Sequence, residues 1–102
     1  MANTDQAMQE GRTVDEYIGD IRIWEGHVEA VVNQILGNLS PELRRELVDL
    51  LQEEDRINTE VFGASDAQAE GLAKYEGAYR DVTARLGEKG RIYRSLALHL
   101  QQ

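Results

Sequence analysis

Three successive stretches of this chain place apolar residues at alternating steps of four and three. Tyr17, Ile21, Trp24, Val28, Val31 and Ile35 form the first series. Leu43, Leu47, Leu50, Glu54, Ile57 and Val61 form the second, with one carboxylate in an otherwise apolar row. Leu72, Tyr75, Tyr79, Val82 and Leu86 form the third. This spacing follows the turn of an α-helix and not the two-residue alternation of a strand. Each series is therefore the stripe of a helix that packs lengthwise on other helices. Ile18, Val32, Leu36 and Leu39 widen the first stripe, and Val48, Leu51 and Phe62 flank the second. Stripes this broad belong to core-facing bundle helices.

Capping signals separate the three series. Thr13-Val14-Asp15-Glu16 is a capping box, in which Thr13 and Glu16 satisfy each other's backbone N–H groups. The first helix is expected over about 14–38, ending at Gly37-Asn38. Ser40-Pro41-Glu42 opens the next, with a serine N-cap and a proline where no hydrogen bond is lost. It runs over about 41–62, and Gly63 can supply a left-handed stop. Ser65-Asp66-Ala67-Gln68 is a third cap, opening a helix over about 66–101.

The segment Gly87-Glu88-Lys89-Gly90 looks like a break, yet Leu86, Lys89, Tyr93, Leu96 and Leu100 continue the same steps through it. Either one long helix runs to the C-terminus, bent at the glycines, or a short fourth helix begins near Arg91. The unbroken phase favours the long bent helix. Short connections make neighbouring helices antiparallel. The expected fold is all-α: an antiparallel three-helix up-down-up bundle over residues 13–102. Residues 1–12 carry no apolar period and read as a flexible polar tail.

The turns also set a register. The middle layer is expected to join Trp24, Glu54 and Tyr75 in a polar core cluster. Glu54 can pair there with Lys74, or accept from the Trp24 ring N–H or the Tyr75 hydroxyl. Gly71 and Gly77 leave room for the rings. With the third helix drawn straight, Ile92, Tyr93, Leu96 and Leu100 project past the body, with Leu98 more peripheral. An uncovered stripe of this kind demands a partner. The expected interface of a homodimer is therefore Ile92, Tyr93, Leu96 and Leu100, beside the basic residues Arg85, Lys89, Arg91 and Arg94. The competing arrangement folds a short fourth helix back over its own bundle.

Composition narrows the function classes. The 102 residues suffice for one small domain, and there is no cysteine, hence no disulfide and no thiolate metal site. No stretch is apolar enough to span a membrane, and the polar N-terminus lacks a secretory signal, so the expected location is the cytoplasm. The net charge of −8 argues against nucleic acid and against an anionic membrane surface. Residues 1–63 hold fourteen acids and five bases, whereas residues 64–102 hold five acids and six bases. The asymmetry reads first as a solvated surface; the sharper reading is an acidic face that steers a basic partner.

No phosphate-binding loop, nucleophile elbow or dinucleotide fingerprint is present. His27 and His99 do not follow a glutamate at the three-residue spacing of helical di-iron sites. No catalytic residue, metal or cofactor is expected. The reading is a non-enzymatic interaction module that self-associates and binds another protein as adaptor, assembly subunit, chaperone or inhibitor. The alternatives are a small metal-binding or ferritin-like enzyme using the glutamates of the second helix, and an acidic mimic of nucleic acid.

Overall fold

The computed structural model describes residues 12–35, 38–64 and 67–101. Three helices pack against one another in a compact bundle: α1 (Val14–Ile35), α2 (Pro41–Val61) and α3 (Ala69–Gln101). No strand occurs among the described residues. The capping box forms as expected. The Glu16 N–H donates to Thr13 Oγ1 (3.3 Å), and the Thr13 N–H donates to Glu16 Oε1 (3.0 Å). Ser40 caps α2 by accepting from the Leu43 N–H (3.2 Å), with Pro41 opening the helix.

The expected left-handed stop at Gly63 does not occur. The C-cap is Phe62, in right-handed conformation, and Gly63 has no positive φ. The last turn instead tightens through i+3 bonds, Gly63 N–H to Glu60 O (2.9 Å) and Ala64 N–H to Val61 O (3.3 Å). Such bonds satisfy helix-end carbonyls without a left-handed residue. The expected tail, apart from Arg12, lies outside the described residues, as do Leu36, Gly37, Ser65 and Asp66. The last helix starts at Ala69, three positions later than its capping signal implies.

The helix α1 runs parallel to the first part of α3. Asp15 pairs with Lys74 (2.6 Å) and Glu25 with Arg85 (2.8 Å). The separation in sequence is nearly constant, as parallel neighbours require. These pairs are largely exposed and worth only ~0–1 kcal/mol each, so they report the register more than they enforce it. Stability lies in the core beneath. Trp24, Tyr17, Tyr93, Ile21, Leu47 and Ile57 are among its largest fully buried side chains.

The decisive feature of α3 is Gly87, at φ 52 and ψ −123. The helix kinks sharply there. A straight helix of 33 residues would measure about 50 Å, more than the 41 Å of the molecule's longest axis. Beyond the kink, residues 88–101 fold back over the bundle. Tyr93 and Ala97 are fully buried, and Ile92, Leu96 and Leu100 pack against the core from its margin. The expected overhang is therefore absent, and Leu98 alone of this group is exposed. The apolar phase survives the glycine because both limbs cover the same core. Phase by itself does not distinguish a straight helix from a doubled-back one.

Gly77 does not receive a ring, contrary to expectation. A Cβ built there meets nothing within 4 Å. The backbone is helical, so Gly77→Ala should stabilise the fold by about 0.4–1 kcal/mol, read as a higher urea midpoint. Trp24 is 2% exposed and its ring N–H donates to the Leu50 carbonyl (3.0 Å). Trp24→Ala should cost ~3–5 kcal/mol, a large part of the stability of a domain this size. An unchanged melting curve would show this core assignment to be wrong.

Candidate functional site

Glu54 occupies an inward position of α2, a consequence of its place in the Leu50–Ile57 series, and is 4% exposed. A carboxylate taken out of water needs donors aimed at it. Tyr93 donates its hydroxyl to Glu54 Oε1 (3.0 Å). Arg94 donates to Glu54 Oε2 (3.0 Å), and the Tyr79 hydroxyl donates to the same oxygen. Arg94 also donates to the Tyr79 hydroxyl oxygen (3.3 Å), closing the network. Tyr79 and Tyr93 would stand about 21 Å apart along a straight helix. They reach one carboxylate only because α3 doubles back at Gly87.

The expected cluster of Trp24, Glu54 and Tyr75 is partly rearranged. Trp24 packs the edge of its ring on Tyr93, with centroids 5.6 Å apart and planes at 76°, and spends its N–H on Leu50. The Tyr75 hydroxyl donates to Asn58 Oδ1, one turn beyond Glu54, and its ring stacks on Tyr79 at 6.3 Å. Lys74 pairs with Asp15 and not with Glu54. The α2–α3 register is thus displaced by one helical turn, because the connection from Phe62 to Gln68 is longer than the capping pattern implies. Tyr79, Tyr93 and Arg94 are the partners that sequence reasoning missed. The available signal was two phenols on inward positions of one helix, each with a polar tip that burial obliges to find an acceptor.

These contacts move the proton affinities. Burial, then the bond to Glu54 and its charge, pushes the Tyr79 hydroxyl up to about 12. Tyr93 is raised further by burial and by Glu54. Tyr75 is raised by burial, by Tyr79 and by Glu54. Burial works against the charge on Arg94, but the Glu54 carboxylate outweighs it and the net shift is upward. At neutral pH the phenols remain donors and the guanidinium stays charged. The donors and acceptors of the network satisfy one another, which suits it to holding α3 in place.

A groove of about 780 Å³ lies on the other side of α1 and α2. Trp24, Val31 and Leu50 form its floor, and Ile23, at 62% exposed, stands on its wall. Glu46 and Asp49 line the α2 side and make no ion pair among the described residues, whereas Asp20 pairs with Arg12 and Glu53 with Arg56. His27 also lines this groove, exposed on α1. Among the described residues no three histidines or carboxylates converge to hold a metal ion. No helix among them is long and apolar enough to cross a membrane. Comparison with family models, with curated proteins and with solved structures finds no match.

The raised phenols give a pH dependence with a definite sign. Below pH ~10 the tyrosines are neutral in both folded and unfolded chains, and their contribution is intact. Above it the unfolded chain ionises while Tyr75, Tyr79 and Tyr93 resist. Each such tyrosine then removes up to ~1.4 kcal/mol per pH unit until its folded pKa is passed. Helicity should collapse between about pH 10 and 12, together with the rise in phenolate absorbance. Phenolate appearing near pH ~10 with the helices intact would contradict this assignment.

Proposed function

We propose that this chain is a non-enzymatic protein-interaction module whose docking surface is the α1–α2 groove, and that the occupant is a basic amphipathic helix of another protein. The observation that carries the reading is the groove's make-up. Trp24, Val31 and Leu50 lie beside Glu46 and Asp49, which make no ion pair among the described residues, while the lining arginines Arg12 and Arg56 are held by Asp20 and Glu53 and Ile23 stands out in solvent. A helix laid in a groove offers apolar residues at three- and four-residue steps, which matches such a floor. Basic residues on its flank meet Glu46 and Asp49, and the surplus of acid on residues 1–63 raises the rate of encounter.

The interior supports the same reading. Its titratable groups are engaged with one another, with Glu54 bonded to Tyr79, Tyr93 and Arg94. Such a network favours a rigid scaffold over proton transfer to a substrate.

A synthetic helix of leucine and lysine in heptad order should shift the backbone amide resonances of Ile23, His27, Glu46 and Asp49. The same peptide with glutamate for lysine should not. Ile23→Asp should weaken binding roughly tenfold or more, and Glu46→Lys with Asp49→Lys should weaken it and flatten its salt dependence. Equal binding of both peptides, or binding indifferent to Ile23→Asp, would sink the proposal.

A further inference from the structure

Gly87 is the sole residue with a positive φ among the described residues, and its backbone is of a kind that L side chains rarely adopt. Space is not the constraint, since a Cβ added there meets nothing within 4 Å. Residues on both sides are helical, and the four-three spacing runs in phase from Leu72 to Leu100, with Lys89 at one of its positions. The sequence pattern is thus compatible with a straight α3 as well as the doubled-back one observed, and the two differ at the backbone of Gly87.

We propose that Gly87 is the hinge for exchange of residues 88–101 between two copies of this chain. With the hinge straight, the limb extends about 20 Å from its own body. It then seats in the site that its counterpart has vacated on the second copy. Tyr93 lies on the second copy's Trp24 and donates to its Glu54, and Arg94 pairs with that same carboxylate. The second copy does the reverse, so the assembly closes with two-fold symmetry.

The contacts that hold the limb are kept, with only the chain supplying them changed. The balance between monomer and dimer then rests on the hinge and on the entropy of association. Glycine keeps the closed monomer accessible, and any L side chain at this position disfavours it relative to the straight helix. The proposal does not rest on the occupant of the α1–α2 groove, although Trp24 lines both that groove and the cleft beside Leu98.

The test is Gly87→Ala, alone and combined with Gly77→Ala, which adds stability to the body. Dimerisation measured by light scattering should strengthen about a hundredfold or more over the parent, since each dimer relieves strain at two hinges, each worth about tenfold or more. A photo-crosslinking benzoylphenylalanine at the exposed position of Leu98, which lines a cleft with Trp24 and Thr83, reports which chain holds the limb. The parent should give crosslinks within one chain, and the Gly87→Ala chain crosslinks between two. Monomeric Gly87→Ala protein in both backgrounds, folded or not, overturns the proposal. A dimer whose crosslinks stay within each chain overturns it equally.

Discussion

A carboxylate sits where the second helix should carry an apolar side chain, and the arrangement of the third helix follows from what that carboxylate needs. Stripping an ion of water costs several kcal/mol unless donors replace the water. Here the donors are Tyr79 before the kink, and Tyr93 and Arg94 after it. One limb supplies a single donor, and the return of the chain at Gly87 supplies the other two. The kink and the buried charge thus depend on each other. An apolar residue at position 54 would bury as well, but it would place no polar requirement on how residues 88–101 lie. A polar core position that restricts partner choice is a familiar device in helical packing.

Around this centre the molecule separates its charges by role. Basic residues of α3 meet acids of α1 along a parallel seam, with Arg85 held by both oxygens of Glu25. Much of the acid on α2 faces away from that seam, where Glu46 and Asp49 border the groove. The surplus of acid seen in the first two helices is consequently not spent wholly inside the fold. The proposed function rests on that remainder and on the apolar floor beside it.

Elements governed by a few neighbouring residues are legible from the amino-acid order alone. The Thr13–Glu16 box, the Ser40 cap with Pro41, and the three apolar stripes form where their residue types require. Each depends on contacts within one turn or along one helix. Glu54 is legible as an unusual inward residue for the same reason. Its partners are not, since they depend on the length of the connection after Phe62, and an added turn moves every facing pair by about four positions. Tyr75 consequently meets Asn58, and Tyr79 takes its place. The expected overhang of residues 91–100 arises from drawing α3 straight.

The amino-acid sequence by itself determined that this chain forms three amphipathic helices, where most of their ends lie, and that one charge must be buried among them. Periodicity and capping are short-range and can be read along the chain. Tertiary structure alone decided that α3 doubles back, which donors reach Glu54, and which apolar residues remain outside. Glycine is what leaves this choice open. It tolerates helical and positive φ alike, so the residue at position 87 permits both paths. The preference comes from Tyr93 on the ring of Trp24 and Arg94 on the carboxylate of Glu54, contacts between residues far apart in the chain.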